Sequence, residues 1–507
     1  MQAALGQLDD SGLVFCRGTV PHASYLFKHA LVQDAAYSTL LRGRRQELHR
    51  RVSAALEEHF ADLVERQPEL LARHLTAAGN TERAVDQWLK AGQYAAERSA
   101  HLEAIRHFDR GLATLPALPE GWPRDQREIE LQLARGLSLF TTEGFSARGA
   151  TEIYTRACEL SEQRGDLRQR FMAVYGLWQS ANGGGRTLEC RKFSDRLLQL
   201  TEGTGDHGLY LQAHHSAWST CLYAGEPAAA RSHSEIGRQL YDPEQHRSHR
   251  LLYGGHDPGA CARYIGAQAQ WLLGYPKEAL ALAGEAVALA ERLAHPFSLE
   301  LALLWNALLR LERREPELAL QRLDAAETLA AEQRLGFLYE PRFARGAALS
   351  AQGALEEAVA CLGEGLASRL GALTFRPFGL ASLAEALTRQ GDFDAALEAA
   401  RGGQRLQEGT DQRRWESELH RLEGAALFGL NRLEEGQNAF EEALRIARRQ
   451  QAKSYELRAA TGLARLWGEQ NRRAEAHNLL APVYGWFTEG FDTADLKEAK
   501  ALLDELT

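Results

Sequence analysis

Apolar and small residues recur along most of the chain with a helical period nested inside a longer one. Residues 385–403 (EALTRQGDFDAALEAARGG) and 424–444 (GAALFGLNRLEEGQNAFEEAL) share one layout. An apolar helical segment ends at Gly or Asn, a small residue follows five positions later, and apolar or small residues come four and seven positions after that. Gly and Asn suit a left-handed, helix-ending position. The pattern therefore predicts pairs of helices joined by tight turns.

The small residue early in the second helix marks each pair. Successive markers lie 40, 40, 49, 40, 39, 38, 40 and 40 residues apart. Six turn residues, each Gly or Asn, are assigned five positions before a marker. The markers are Ala150, Cys190, Ala230, Ala279, Ala319, Ala358, Ala396, Gly436 and Ala476, and the turn residues are Gly225, Gly274, Gly353, Gly391, Asn431 and Asn471.

This layout is that of tetratricopeptide (TPR) repeats, with a period near 40 instead of the usual 34. It predicts an all-α fold, a right-handed α-α superhelix with a concave face, in which each repeat contacts only its neighbours. The expected domains are a TPR-like solenoid over 121–490, irregular first repeats over 46–120, and a C-terminal capping helix over 491–507. Residues 493–506 (TADLKEAKALLDEL) are amphipathic and suit that cap.

Several long segments resemble one family. They include 25–60 (YLFKHALVQDAAYSTLLRGRRQELHRRVSAALEEHF), 70–100, 256–262 (HDPGACA), 271–299, 413–427 and 479–506. The chain resembles the C-terminal TPR region of bacterial STAND/AAA-type ATPase signalling proteins, which are often fused to class III adenylate or guanylate cyclase domains. The resemblance implies a cytoplasmic, bacterial signalling protein. It also implies that residues 1–45 are the tail of a winged-helix-like ATPase subdomain, so that the chain corresponds to part of a longer protein or to a separately encoded subunit.

Within that N-terminal segment, residues 12–29 (GLVFCRGTVPHASYLFKH) predict a β-hairpin with Gly18 and Pro21 in its turn. Its apolar residues should have packed against absent elements, so we expect an exposed docking edge. The candidate docking residues are Leu13, Phe15, Leu26 and Phe27.

The sequence lacks the phosphate-binding motif of the ATPase domains in this family. A phosphate-binding loop needs GxxxxGK[ST], and no Lys follows a Gly in this sequence. Gly183–Gly185 continues without Lys and is better explained as a turn between helices. We expect no catalytic residues, no cofactor, no metal and no nucleotide turnover by the isolated chain.

The longest marker interval contains YDPEQHRSHRLLYGGHDPGACARY (241–264). Its His246, His249, His256 and Asp257, with Cys261, could form a metal or hydrolytic site. The alternative is an extended connection in which Asp257 starts the next helix. As a long loop on a rigid scaffold, it is also a candidate contact for a ligand or partner.

Composition narrows the partners. The net charge of −9 over 507 residues disfavours nucleic acid, and the basic face formed by Arg42, Arg45 and His49 is a single helical turn. The sequence contains no run of 18 apolar residues, the length that would predict a membrane span. The six cysteines form no CxxC pair and suit small buried residues in a reducing cytosol. The adjacent His214 and His215 of a predicted helix face different directions and should not chelate one ion.

Three functions are consistent with these features. The first is a protein-interaction and sensory scaffold of an ATPase/cyclase system, which binds a protein or peptide in its concave groove or an ATPase/cyclase domain in trans. The second is a fragment or subunit of a multidomain cyclase or ATPase. The third is the inducer-sensing part of a STAND-type transcriptional regulator. A small-molecule effector stays open in each case.

Overall fold

The structure, a computed structural model, describes residues 2–18, 23–98, 100–333, 335, 341–368 and 373–507, so Pro21 lies outside the described residues. The chain divides into two compact units, Met1–Arg135 and Gly136–Thr507. None of the described helices combines the length and apolar character that a membrane crossing requires.

The first unit begins with a short helix and the predicted hairpin. Strands β1 and β2 are antiparallel, with Val14 opposite Phe27, and Gly18 has the positive φ (+85°) expected of a turn. The elements of this unit are α1 Gln2–Asp10, β1 Val14–Arg17, β2 Ser24–Phe27, α2 Ala30–Ser38, α3 Arg42–His59, α4 Ala61–Arg66, α5 Pro68–Ala78, α6 Thr81–Glu97, α7 His101–Thr114, a 3₁₀ turn Leu115–Ala117 and α8 Trp122–Glu143, which contains the unit boundary.

The core of this unit lies between α3, α5, α6 and α7. Leu71 and Leu75 of α5 are buried against Leu56 of α3. Ala84 and Ala104 are each the fourth residue of a helix and are fully buried, so the small-residue rule extends into these irregular repeats.

The second unit is a series of helix pairs. The first helices are α10 Leu167–Gly183, α12 His207–Tyr223, α15 Pro258–Leu272, α17 Pro296–Glu312, α19 Pro341–Gln352, α21 Arg376–Gln390, α23 Glu416–Gly429 and α25 Lys453–Glu469. The second helices are α9 Ala150–Arg164, α11 Thr187–Thr201, α13 Pro227–Leu240, α16 Pro276–Arg292, α18 Pro316–Gln333, α20 Leu355–Ala367, α22 Phe393–Thr410, α24 Leu433–Gln450 and α26 Arg473–Tyr484. The remaining elements are α14 His249–Leu252, a 3₁₀ turn Leu373–Phe375 and α27 Ala494–Leu506.

The predicted markers occupy one structural position. From Cys190 to Ala476, every marker is the fourth residue of its second helix and is buried. Ala150 differs, because it is the first residue of α9. A small side chain is needed here because the two helices of a pair approach closely. At Gly436, for example, an added Cβ would lie 3.3 Å from the carbonyl oxygen of Gly424.

The turn residues also occupy one conformation. All six predicted turn residues have positive φ, from +59° at Asn431 and Asn471 to +91° at Gly353. Two further turns follow the rule at the same offset: Gly185 has φ +69°, and Arg314 has φ +60° although it carries a side chain. Gly185 thus lies in a turn between helices, as predicted for the glycine run.

The first helices from α10 to α25 form a continuous row, since each contacts the next first helix as well as its own partner. α27 packs on α25 and α26 and closes the C-terminal end, with Leu496, Leu502 and Leu503 buried. Lys497 and Lys500 are exposed, as suits an amphipathic capping helix, whereas Glu498 is half-buried. The fold class is all-α, a superhelix of TPR-like helix pairs.

The expectation that repeats contact only their neighbours is wrong. The C-terminal ends of early first helices touch the N-terminal ends of first helices five to six repeats later. The backbone N–H of Arg413 donates to Tyr223 O (2.8 Å), and Ser454 Oγ donates to Trp271 O (2.5 Å). Gln412 Nε2 donates to Gly185 O (3.1 Å) across 227 residues. We call this line of contacts the inter-turn seam.

Candidate functional site

The first helices of the C-terminal half enclose a groove of about 550 Å³. We call it the inner groove. Small side chains from α19, α21 and α23 leave the space open, and aromatic and charged residues line it. The lining includes Ser350, Glu385, Trp415, Glu418, Tyr455 and Arg458, with Ala351, Ala381 and Ala425 as the small residues.

A buried ion network closes one side of the inner groove. Arg458 of α25 lies at its centre, with 15% of its side chain exposed. Its Nε is 2.8 Å from Asp495 Oδ2, its Nη1 is 3.2 Å from Glu312 Oε2, and its Nη2 donates to Glu312 O at 2.6 Å. The same Nη1 is 3.5 Å from Glu418 Oε1. One guanidinium therefore serves three carboxylates from three different elements.

The carboxylates of this network respond differently to burial. Burial raises the pKa of Glu312, and Arg458 and Arg414 only partly oppose this effect. Burial also acts on Glu418, but Arg421 and Arg458 outweigh it and hold the pKa of Glu418 below its usual value. The difference arises because Arg421 binds Glu418 through two hydrogen bonds of 2.7 and 3.0 Å. Glu312 thus depends mainly on Arg458 for its charge.

The network also ties the inter-turn seam together. Glu312 ends α17, whereas Arg458 and Tyr455 belong to α25, and the Tyr455 hydroxyl donates to Glu312 Oε1 at 3.2 Å. A second buried arginine, Arg414, donates to Gln268 Oε1 at 2.6 Å. These contacts fix the groove's walls relative to each other, so the cavity is pre-formed.

Three groups in the inner groove are left with bonding capacity. The indole Nε1 of Trp415 and the Oγ of Ser350 are buried and have no hydrogen-bond partner among the described residues. Glu385 is exposed and makes no ion pair with the described residues, unlike Glu418 beside it in the lining. Trp415, Ser350 and Glu385 therefore line the same groove.

The histidine-rich connection predicted from sequence is inside the unit. His246, His249, His256 and Asp257 are only 3–8% exposed. Asp257 caps α15, since its Oδ1 accepts from the N–H of Ala260 (2.9 Å), and its Oδ2 accepts from the Tyr241 hydroxyl (2.8 Å). Burial raises the pKa of Asp257 despite these bonds. The helix-starting role is confirmed, whereas contact of this connection with a ligand or partner stays a prediction.

His256 contacts a residue that the sequence did not link to it. Its Nε2 is 3.2 Å from Nε2 of His215, and the Sγ of Cys261 lies within 4.8 Å of both. Burial lowers the pKa of His256 to about 4 and that of His215 well below its usual value. His214 turns away from this group toward His233, with 2.8 Å between the Nδ1 atoms. The two adjacent histidines face different directions, as predicted.

The predicted docking edge lies in the first unit. Leu13 and Phe27 are 38% exposed, and Phe15 and Leu26 are 54% and 53% exposed. In the following helix α2 no residue is buried. These exposures fit an interaction surface, and docking on it stays a prediction.

The remaining residues singled out in the sequence are the basic turn of α3 and the six cysteines. His49 forms hydrogen bonds within the first unit. Its Nε2 lies 2.8 Å from the Tyr37 hydroxyl, and its Nδ1 lies 2.8 Å from Nδ1 of His74. None of the six cysteines forms a disulfide. Four of them are buried as predicted, Cys361 is half-buried, and Cys16 is exposed on β1, because only Val14 of that strand faces the core.

No family model matches the sequence. An uncharacterized protein of Rhizobium meliloti (strain 1021), R02095, is 28% identical over 280 residues, which are 54% of this chain and 27% of that protein. The match therefore spans about a quarter of the relative's length.

Three solved structures are similar at low identity. A Rap protein complexed with competence and sporulation factor is 11% identical, with a TM-score of 0.41 over 84% of this chain and 100% of that chain. The yeast Tom70 is 11% identical, with a TM-score of 0.34 over 91% and 96% of the two chains. The Cut9–Hcn1 hetero-tetramer of APC/C is 13% identical, with a TM-score of 0.38 over 94% and 99%.

Proposed function

We propose that this chain is a protein-interaction scaffold whose inner groove holds an extended peptide segment. The observation that carries the proposal is the pre-formed cavity of about 550 Å³ along the row of first helices, whose lining includes Trp415 and Ser350, each with a polar atom that has no hydrogen-bond partner among the described residues. Superhelices of helix pairs bind extended partners along such a face, and a groove held in shape before binding loses less entropy when it is filled.

The lining indicates the chemistry of the peptide. Trp415 Nε1–H can donate to a backbone carbonyl, and Ser350 Oγ can donate or accept. Glu385 forms no ion pair with the described residues, so a Lys or Arg of the peptide belongs next to it. The other acidic groups of the network are already neutralised by Arg458, Arg421 and Arg314. The groove thus favours a peptide with an isolated basic side chain over a strongly charged one.

A random-peptide display library, selected on the purified chain, tests this proposal. Selected peptides should carry a recurring Lys or Arg and bind in solution. Glu385→Arg should weaken binding at least about tenfold, because a like charge replaces the ion pair. Trp415→Phe should weaken it by about 2- to 10-fold, the value of one hydrogen bond. Glu441→Arg, an exposed residue outside the groove lining, is the matched control and should leave affinity unchanged.

Selected peptides that bind all four proteins equally would contradict the groove as the binding site. Failure to select any peptide on the wild-type chain, while a known peptide-binding domain yields binders in parallel, would count against the function itself.

The partner context rests on the family resemblance. We infer that the chain works with a bacterial signalling ATPase or cyclase domain, in trans or as part of a longer protein, and that it turns over no nucleotide itself. The exposed hairpin edge with Phe15 and Leu26 supports docking of such a domain. ATP hydrolysis or cyclic-nucleotide formation by the purified chain, abolished by a point substitution within it, would contradict this inference.

A further inference from the structure

His215, His256 and Cys261 converge in the interior of the second unit. His215 lies in the middle of α12, His256 precedes α15, and Cys261 lies in the first turn of α15. All three are buried. The two imidazole Nε2 atoms are 3.2 Å apart, and all three donor atoms lie within 4.8 Å of one another.

The hydrogen bonds around the two rings place lone pairs on the facing nitrogens. Nδ1 of His256 is 3.0 Å from Gly254 O and must donate to this carbonyl. Nδ1 of His215 is 2.9 Å from Gln212 Oε1, while Gln212 Nε2 donates to Nδ1 of His249 at 2.9 Å. A neutral imidazole carries one N–H, so both Nε2 atoms are then acceptors. Two acceptors facing each other in a buried site repel unless a cation lies between them.

The same pattern is typical of metal-binding histidines. Such a histidine donates its other ring N–H to a carbonyl, carboxylate or water, which fixes the tautomer and orients the ring. Both histidines here have that second partner, from a backbone carbonyl and from an amide oxygen. The Tyr175 hydroxyl, 3.1 Å from Nδ1 of His215, adds a further contact to the ring.

The distances suit a tetrahedral ion. With Zn–N bonds of about 2.0–2.1 Å, two nitrogen ligands of a tetrahedral zinc lie about 3.3–3.4 Å apart, and the observed separation is 3.2 Å. The corresponding nitrogen–sulfur separation is about 3.6 Å, so Cys261 Sγ needs to move inward by no more than about 1.2 Å from the 4.8 Å limit. Two imidazoles and a thiolate are a donor set that zinc prefers.

We propose that His215, His256 and Cys261 form a zinc site that fastens the long connection between α13 and α15 to α12. The ion forms bonds to two neutral imidazoles and to the thiolate of Cys261, whose proton leaves to solvent on binding. This connection is where the repeat spacing rises from about 40 to 49 residues. The extra residues lack a second helix of their own to bury them, and a metal crosslink supplies the missing constraint.

The test uses the full chain without a histidine tag. Metal analysis should find one equivalent of zinc in the purified chain, or a chelator-treated chain should bind one equivalent when zinc alone is added. Replacing zinc with Co²⁺ should give a thiolate-to-cobalt charge-transfer band and the visible absorption of tetrahedral Co²⁺. Absence of both stoichiometric zinc binding and the thiolate–cobalt band would overturn the proposal.

Matched variants separate the site from general stability. Cys261→Ser and His256→Gln should abolish the charge-transfer band or the stoichiometric binding. Gln212→Ala, which removes an amide partner of His215 and of His249 but no zinc ligand, should weaken zinc binding by about 10- to 100-fold. Cys221→Ser changes a buried cysteine in α12 that is not a proposed ligand, and this variant should bind zinc as the wild type does.

Retention of a full thiolate–cobalt band in Cys261→Ser would refute the assignment of the ligand. If the ligand variants do not fold, X-ray absorption on the zinc-loaded wild type decides. One sulfur and two imidazole nitrogens support the site, and a shell of oxygen ligands refutes it.

Discussion

Replacing Arg458 with methionine probes the buried ion network more directly than any other single change. Methionine keeps much of the packing of the arginine stem but removes the charge. Three carboxylates lose a partner, all with side chains at most 14% exposed. Breaking a buried pair on one side costs roughly 3–5 kcal/mol. Glu418 keeps Arg421 and Asp495 keeps Arg314, so we expect the lower end of this range, about 3 kcal/mol.

The penalty should depend on pH with a defined sign. Burial raises the pKa of Glu312, and loss of Arg458 should raise it further. A carboxyl whose folded pKa lies above its unfolded value destabilises the fold when ionised, and protonation relieves this effect as pH falls. The loss of stability caused by Arg458→Met should therefore be smaller at pH 5 than at pH 8.

Urea unfolding followed by circular dichroism measures both effects as shifts of the midpoint at constant m. Arg465→Met is the matched control, because Arg465 is 48% exposed and pairs with a single carboxylate, Glu498. It should cost less than about 1 kcal/mol. A loss in Arg458→Met no larger than in this control, or a loss that is equal at pH 5 and pH 8, would refute the network as a stabilising element.

Four further outcomes are expected. Gly391→Ala should lower the free energy of unfolding by about 1–2 kcal/mol, because Gly391 has φ +88° with open space around its Cβ position. Gly363→Ala, in open space within α20, should instead raise the free energy of unfolding by about 0.5–1 kcal/mol. Changes of the same sign in urea titrations of the two variants would contradict the turn geometry. Ala396→Leu should cost roughly 1–3 kcal/mol by overpacking the helix pair, and a thermal melt unchanged from wild type would contradict close packing there. Burial acts to raise the pKa of Glu423, but hydrogen bonds from His420, Gln404 and Arg401 outweigh it and lower this pKa to about 2. The stabilising contribution of Glu423 should therefore be complete above its unfolded pKa near 4.5 and disappear as pH falls toward 2. Acid titrations of wild type and Glu423→Gln that remain parallel over this range would exclude this contribution. Deleting residues 1–45 should leave the second unit helical by circular dichroism, and its unfolding would show that the segment is a structural cap.

Local pattern was sufficient for the repeat. From Cys190 to Ala476 the marker residue is always the fourth of its helix, because helix approach and a left-handed turn both act within about ten residues of the chain. Arg314 escaped prediction as a turn residue because its side chain gives no sign of positive φ, although its offset from Ala319 did.

Long-range contacts were beyond such a pattern. Gln412 meets Gly185 across 227 residues, and Arg458 meets Glu312 across 146. Nothing periodic marks these residues, since the number of repeats in a superhelical turn is set by small rotations that accumulate from pair to pair. The same reason explains why His256 was singled out without His215, which lies 41 residues earlier in the chain. The inner groove, whose walls come from seven helices, could not be located before the superhelix was known.

Hydrogen–deuterium exchange on the full chain, with and without a display-selected peptide, tests most directly whether the inner groove is the binding surface. We predict that bound peptide slows exchange in α21, α23 and α25, whose residues line the groove, and leaves the second helices α22 and α24 unchanged. Protection confined to α22 and α24, or to the hairpin of the first unit, would contradict binding in the groove.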